Sequence, residues 1–447
     1  MLSAACLFLA LLLRTFCRAV LAFSAGVLCS LARLSPIIAE ANFANSLVGQ
    51  ELQLSGIIAT DPKELEKETS LTLEQVSLRG KTLGGQLYVK ISGRGHHLQR
   101  SDQITLRGKA LSGFGNYYLY LWHPTVVSVS KPDPPDLALQ FRQFLSCKLS
   151  AAITSEDAAS LAMGFLLGEK VTMSDELTAN LRQAGLAHVV VASGFALSVL
   201  VNFAKKYGLR ISRGVAFFAS IWLIAAFVSL TGFSASLLRA GIAALVALLA
   251  WFVGRRFHPV RLLIYVAALS VCISPHKFFS LAWQLSFASY AGILLLEPLL
   301  AKYLYGDAAP SNLSAIVLVS ISAQLACLPL SLYYFGSFAV LGLVANLLVT
   351  PVIPLVMLLA FLVGLGLKIP FAVFVLQKIL TAQLWVIREI GELPWATYQI
   401  APGQAVCLWL YVPILILLVA LKVRTKHTFR PSYSLDKSPD YGKIFSC

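Results

Sequence analysis

Between Gly185 and Leu421 the chain runs in apolar stretches of about 20 residues, separated by short polar breaks. At ~1.5 Å of rise per helical residue, each stretch matches a hydrocarbon core of ~30 Å. Backbone in lipid must satisfy its own hydrogen bonds, so these stretches read as transmembrane helices. Composition agrees: 57% of the 447 residues are hydrophobic and 13% are charged, against roughly 25% charged in soluble domains. The spans are expected at Gly185–Ala204, Gly214–Thr231, Ala235–Gly254, Pro259–Ser274, Phe279–Ala301, Leu313–Tyr334, Phe338–Leu367, Phe371–Ile390 and Gln404–Leu421. Residues 1–40 are also apolar, with Arg14, Arg18 and Arg33, and lack a sharp small-x-small cleavage site after one compact core. They read as a retained helix, giving about ten spans.

The texture changes between Asn42 and Lys131. Short alternating runs appear at Glu51–Ile58, Leu71–Leu78, Gln86–Ile91, Gln103–Gly108 and Tyr118–Trp122, bounded by Gly and Asp-Pro turn signals. Period-two alternation predicts five strands, and five strands in this length suit a small antiparallel OB-like β-barrel. No Cys falls in this stretch, so a disulfide is not expected to hold it. The run Lys131-Pro-Asp-Pro-Pro-Asp136 closes the domain as a stiff linker. Residues 132–184 are expected to hold this linker and amphipathic surface helices, one of them started by the cap Ser174-Asp-Glu176. The fold class is therefore a membrane all-α polytopic bundle, residues 185–422, with a β-barrel domain at 42–131 and a basic tail at 423–447.

Loop charge orients the bundle. Lys205, Lys206, Arg210 and Arg213 share one short loop, Arg255, Arg256 and Arg261 another, and the tail from Lys422 holds six Lys and Arg. The positive-inside rule places all three in the cytoplasm. Parity then puts both termini inside and the barrel outside, provided that Phe371–Ile390, which carries Arg388 and Glu389, crosses. The net charge of +15 is partly this ordinary loop charge.

Polar groups inside apolar spans are costly and usually face a cavity or a partner. His188, Arg239, Gln284 and Asn346 all fall within about two helical turns of the outer ends of their spans. Their shared depth predicts a water-filled vestibule that opens outward. Singly, Arg239 also reads as a side chain snorkelling to headgroups, and Gln284 and Asn346 as ties between helices. Two spans look interrupted, at Ala192-Ser193-Gly194 and at Thr350-Pro-Val-Ile-Pro354. Such breaks are tolerated where they line a cavity, and small-residue packing is the alternative for Ser193-Gly194.

The segments Gly185-Leu-Ala-His188, Ala192-Ser-Gly194, Leu230-Thr-Gly-Phe-Ser234 with Arg239-Ala240, Gln284-Leu-Ser-Phe287, and Tyr334-Phe-Gly-Ser-Phe338 with Asn346 and Pro351 together resemble the competence domain of the ComEC family of DNA-uptake channels. The barrel is similar to that family's OB-like domain, and the likeness covers Met1 to about Leu367. It implies passage of single-stranded DNA across a lipid bilayer during natural transformation. His188, Ser193, Gly194, Arg239, Gln284, Ser286, Tyr334 and Asn346 would then line the path. The implied partners are a cytoplasmic ATPase motor and surface DNA-receptor proteins. No P-loop is present to supply energy within the chain.

The sequence departs from the family at two motifs. Ser193-Gly-Phe-Ala196 stands where the family reads Ser-Gly-Leu-His, and Ser274-Pro275 where it reads Asp-Pro. Longer members carry a metallo-β-lactamase-like domain. Here no His-x-His-x-Asp-His pattern occurs among the seven His, so no metal, cofactor or enzymatic activity is expected.

In the barrel, Lys90, Arg94, Arg100, Arg107 and Lys109 with Tyr118, Tyr120 and Trp122 are candidates for DNA contact, since single strands are held by basic grooves with stacking aromatics. The bland reading is that alternation buries some of these rings. Metal binding by His96-His97 is the weaker idea. Two other functions compete with a DNA channel: a secondary transporter of a smaller anionic solute, and a membrane-anchored enzyme, for which no nucleophile–base pair stands out.

Overall fold

The computed structural model describes residues 43, 46–59, 61–64, 68–78, 81–83, 86–93, 98–113, 117–168, 173–190, 194–232, 235–254, 259–273, 280–308, 310–367, 369–393, 396–399, 406 and 409–425. The expected N-terminal helix and nearly all of the basic tail lie outside them. The described residues fall into two compact units, one formed by the β-rich part up to Phe141 with Ala268–Ser280, and a helical one formed by Arg142–Ala267 with Leu281 onward.

The β-rich unit has eight strands: β1 Glu51–Ile58, β2 Lys63–Glu64, β3 Glu68–Leu78, β4 Lys81–Leu83, β5 Gln86–Ser92, β6 Gln103–Ser112, β7 Tyr117–Trp122 and β8 Thr125–Ser130. Five of them close a barrel in the order β1-β3-β5-β7-β6 and back to β1. This is a five-stranded barrel of the OB type. The expectation of an all-antiparallel barrel is corrected at one seam: β5 and β7 run parallel, Tyr88 beside Tyr120 and Lys90 beside Trp122. Because β6 intervenes in sequence, β5 reaches β7 by a crossover rather than a hairpin, which permits the parallel pairing.

Alternation fills the interior. Leu52, Leu54 and Ile58 of β1 face Leu71, Leu73, Val89, Ile104, Leu106 and Leu121, all buried. In β3 the inward set switches from Leu71 and Leu73 to Val76 and Leu78. The switch falls at Gln75, whose φ is +52°, beside an irregularity in the β1–β3 register between Ser55 and Ile57. One extra residue re-aims the rest of a strand to the other face.

The chain's helices follow as α1 Leu137–Ala152, α2 Glu156–Leu167, α3 Asp175–Gln183, α4 Ala187–Val190, α5 Gly194–Gly208, α6 Arg213–Thr231, α7 Ala235–Phe252, α8 Pro259–Ile273, α9 Leu281–Leu295, α10 Glu297–Tyr305, α11 Asn312–Phe335, α12 Gly342–Val349, α13 Ile353–Gly364, α14 Pro370–Glu392 and α15 Tyr411–Thr425. A short ribbon pairs β9 Ser337–Ala339 with β10 Thr397–Gln399. Among the described residues five segments are long and apolar enough to cross a membrane: Arg213–Thr231, Leu281–Tyr305, Leu313–Phe335, Gly342–Gly364 and Pro370–Glu392. Two shorter apolar helices, Leu237–Phe252 and Arg261–Ile273, accompany them. Phe218, Trp222 and Phe371 are two-thirds or more exposed, an arrangement suited to lipid and not to water.

Ser174 caps α3 by accepting from the Leu177 N–H at 3.1 Å, as its sequence predicts. The neighbouring α2 departs from the expectation of amphipathic surface helices. Every residue from Ala158 to Leu167 is buried, in one core with Leu177, Leu181, Val356, Leu376 and Ile387. A helix that is apolar on all sides has no face to offer water and goes inside. The expected break in Phe338–Leu367 is present: α12 stops at Val349, and a 3-10 turn, Thr350–Val352, precedes α13. Pro351 and Pro354 each remove a backbone donor there.

Candidate functional site

Arg239 stands on α7 and donates its Nε–H to Ser286 Oγ on α9 at 2.5 Å. Its guanidinium carbon lies 5.0 Å from the Tyr290 ring centre and 6.0 Å from that of Phe287. Ser286, Phe287 and Tyr290 belong to one side of α9, being spaced by one, three and four residues. Gly194, the first residue of α5, makes room for this arrangement. A Cβ on it would stand 2.9 Å from Ala240 Cβ and 3.4 Å from Arg239 Nη2, so the backbone of α5 approaches the guanidinium where a side chain would intrude.

Among the described residues the charge on Arg239 has no acidic partner. Residues 177–296 contain ten Lys and Arg and no Asp or Glu, and no ion pair joins Arg239 to a carboxylate among the described residues. The partners of Arg239 among the described residues are one hydroxyl and two ring faces, and a guanidinium carries five N–H donors, more than these contacts use.

The other polar candidates form separate ties. Tyr334 on α11 donates to Gln284 Oε1 on α9 at 3.1 Å. Gln284 and Ser286 are two residues apart, about 200° around the helix, so α9 turns one toward α11 and the other toward α7. Asn346 on α12 donates from Nδ2 to Ser320 Oγ at 2.9 Å and accepts from Thr350 Oγ1 at 2.7 Å. Next to the break, Gln383 of α14 donates to the Val349 carbonyl at 3.3 Å, and its buried Oε1 has no partner among the described residues.

The structure therefore brings Gly194, Arg239 and Ser286 together, joins Gln284 to Tyr334, and gives Asn346 partners of its own. The His188 side chain and Ser193 lie outside the described residues, although the backbone of His188 sits in α4. Sequence reasoning missed Tyr290, Ser320, Thr350 and Gln383. Tyr290 was available from helical spacing, four residues after Ser286. Gln383 carried a signal too, as an amide in an apolar span.

On the barrel the candidates divide. Lys90 of β5 lies 4.9 Å from the centre of the Trp122 ring and pairs with Glu68 at 3.0 Å. Tyr88 stacks on Tyr120 at 5.7 Å, and Tyr120 meets Trp122 edge-on at 5.7 Å. The hydrogen bond to Glu68 holds the Lys90 ammonium above its ordinary pKa, and partial burial pushes the Tyr120 phenol up. His123 touches Ser92 and stands 3.4 Å from Glu68. Arg100 is spent on Asp136 at 3.5 Å, and Arg107 on Glu51 at 3.4 Å. Lys109 is exposed on β6 opposite Glu51. Arg94, His96, His97 and the Tyr118 side chain lie outside the described residues. Among those described, no group of three or more His, Cys, Asp or Glu is placed to hold a metal ion.

Residues 165–425 match the model of a family described as "Competence protein", which is more than half of the chain. The chain belongs to the competence protein family. It is also similar to "ComE operon protein 3" of Bacillus subtilis (strain 168), 24% identical over 327 residues. That alignment covers 69% of this chain and 41% of the relative, so the chain spans about two fifths of the relative's length. No solved structure matches. The competence match begins at Phe165, inside α2, twenty residues before the expected start at Gly185. This agrees with α2 being packed in the helical core. It takes in every element of the Arg239, Gln284 and Asn346 contacts, whereas the barrel lies outside it.

Proposed function

We propose that this chain conducts single-stranded DNA across the cell membrane in natural transformation, with the barrel outside, both termini in the cytoplasm and about ten spans. The observation that carries the reading is Arg239, reaching from α7 to α9 with no carboxylate partner among the described residues, within a stretch of 120 residues free of acids. A polyanion needs a positive path. A guanidinium whose partners among the described residues are a hydroxyl and two aromatic faces can trade them for phosphate oxygens in passing. Membership of the competence family supports the same reading. Gly194 stands beside Arg239 on the strand's proposed route, to which Ser193 and His188 are also assigned, while Gln284, Tyr334 and Asn346 hold the helices that frame it. We assign the chain conduction and no hydrolysis. The driving force is assigned to a cytoplasmic ATPase, and delivery to DNA-capturing surface proteins.

The test is uptake of labelled duplex DNA by a naturally transformable strain lacking the gene and complemented with variants. Arg239→Ala should lower internalised single strand about tenfold, the effect expected of losing one charge-assisted contact, with surface-bound label unchanged. Arg239→Lys should restore part of it, since the charge returns without the planar fork. Internalised label equal to wild type in Arg239→Ala would remove that residue from the path. If deletion of the whole gene leaves the internalised strand undiminished, conduction of a smaller anion replaces this reading.

A further inference from the structure

The helical unit holds a second concentration of positive charge, distant in sequence from Arg239, where α5 ends, α6 begins and α7 ends. Lys205 Nζ lies 4.7 Å from the centre of the Trp251 ring, and the Arg213 guanidinium carbon lies 5.1 Å from the same centre. Arg213 also donates from Nη2 to the Trp251 carbonyl. Two cations thus share one indole, and like charges so placed repel unless an anion joins them. No acid of residues 177–296 is available to do so. Arg210, 4.9 Å from the Tyr207 ring, adds a third cation on the connection itself. Arg255 and Arg256 follow Trp251 closely in sequence.

The neighbouring surface is apolar where a water-facing loop would be polar. The connection between α5 and α6 carries Leu209, 49% exposed, and Ile211, 76% exposed, on either side of Arg210. Leu245, Leu249 and Phe252 form an exposed stripe at i, i+4 and i+7 that runs along α7 to the same end. The geometry there is fixed by close packing. Gly208 lets the end of α5 rest on α6, where a Cβ would stand 2.5 Å from Ala216 Cα. Cations gathered on an indole, beside exposed apolar side chains, match a phospholipid: phosphate on the basic groups, acyl chains along the stripe. A nucleic acid would be served by the cations and the rings, but it has no use for Ile211 and the Leu245 stripe.

We propose that Lys205, Arg213 and Trp251, with Arg210, form a seat for the headgroup of an anionic phospholipid at the membrane surface. The seat anchors the ends of α5, α6 and α7. Since α5 and α7 are the helices that bring Gly194 to Arg239, occupancy of the seat bears on the position of both. The inference stands on its own contacts and does not require the chain to carry DNA.

The test is lipid retention by the full-length protein in detergent, read by native mass spectrometry with added phosphatidylglycerol or phosphatidylcholine. Wild type should retain phosphatidylglycerol in preference. Replacing both Lys205 and Arg213 by Gln should weaken that retention by about thirtyfold at low salt, from the contribution of two cations near an anionic headgroup. Lys205→Arg, which keeps the charge, should retain it and reports on folding. Millimolar inorganic phosphate should not displace the lipid, because it lacks the acyl chains. Equal retention of the two lipids, or of phosphatidylglycerol by wild type and the double variant, overturns the proposal. So does displacement by an oligothymidylate whose own binding needs Lys205 and Arg213, which would make the cluster a nucleic-acid site.

Discussion

Asp157 and Arg388 are 231 residues apart in sequence and meet at 2.6 Å between Oδ2 and Nη2. Asp157 sits in the first turn of α2, and its other oxygen accepts from Ser174 Oγ at 3.0 Å, just before α3. One carboxylate therefore gathers α2, the start of α3 and the end of α14. The contact explains how a helix as apolar as α14 carries an Arg close to its end: the charge is matched within the fold. Replacing Arg388 by Gln should cost about 1 kcal/mol, a figure held low because the guanidinium is partly exposed. A double-mutant cycle with Asp157→Asn, followed by thermal unfolding in detergent, measures the coupling. Additive losses would show that the pair contributes nothing of its own.

A tighter constraint lies between α9 and α11. Gly292 is buried, and a Cβ on it would stand 2.4 Å from the Ser322 carbonyl oxygen and 2.6 Å from Ala326 Cβ. The first of these is backbone, so the helices must part. Gly292→Ala should destabilise by about 2 kcal/mol, in the range of overpacked cores. Gly214→Ala is the contrasting variant. Among the described residues only Ser212 Oγ, at 3.8 Å, lies near that position in α6, and alanine should be neutral or stabilising there by up to about 1 kcal/mol. Thermal unfolding of the two proteins side by side checks the sign of each.

The barrel was the most legible part of the sequence. The first strand was expected at Glu51–Ile58 and is found there, because one buried face forces alternation. Which strands lie side by side was not legible: alternation assigns a residue to a face and leaves the neighbour open, so the parallel β5–β7 seam came only from the structure. In the helical unit, the reading of residues 132–184 as amphipathic and superficial fails at α2. Twelve residues are too few to span, yet their all-round apolar character already pointed to burial. The polar candidates were grouped by depth alone. Angle divides them, since Gln284 and Ser286 cannot face the same neighbour from a regular helix. The long-range partners, Ser320 for Asn346 and Asp157 for Arg388, depend on helix packing that no local pattern encodes.

Asp136 gives the barrel unit a pH dependence. Burial pushes its carboxyl upward, but the Leu139 N–H at 3.0 Å, the Ser101 hydroxyl at 2.8 Å and Arg100 together hold it below the ordinary carboxylate range. A carboxyl depressed in the folded state stabilises fully above its unfolded pKa, and the contribution is lost as pH falls through the folded value. Protection of the Leu139 amide against exchange, relative to its intrinsic rate, should therefore decline as acid protonates Asp136. Asp136→Asn should lose about 1 kcal/mol at neutral pH, discounted for partial exposure, and should show no such decline. Protection in that variant that still tracks pH in the acid range would assign the effect to another group.

The last prediction concerns the ring cluster outside the barrel. Tyr88, Tyr120 and Trp122 present faces on neighbouring strands, and Trp122 is 48% exposed with Lys90 beside it. Bases stack on such surfaces irrespective of sequence, at about 1–3 kcal/mol per base. If the barrel contacts the strand before it enters the helical unit, Trp122→Ala should raise the Kd of the full chain for a labelled oligothymidylate about tenfold. Arg107→Gln should have a much smaller effect, since Arg107 lies on β6 and already faces Glu51. Fluorescence anisotropy at fixed low salt separates the two, because a phosphate contact fades with added salt and a stacked base does so far less. A Kd unchanged by Trp122→Ala would take the ring cluster out of DNA contact and leave the strand to the helical unit alone.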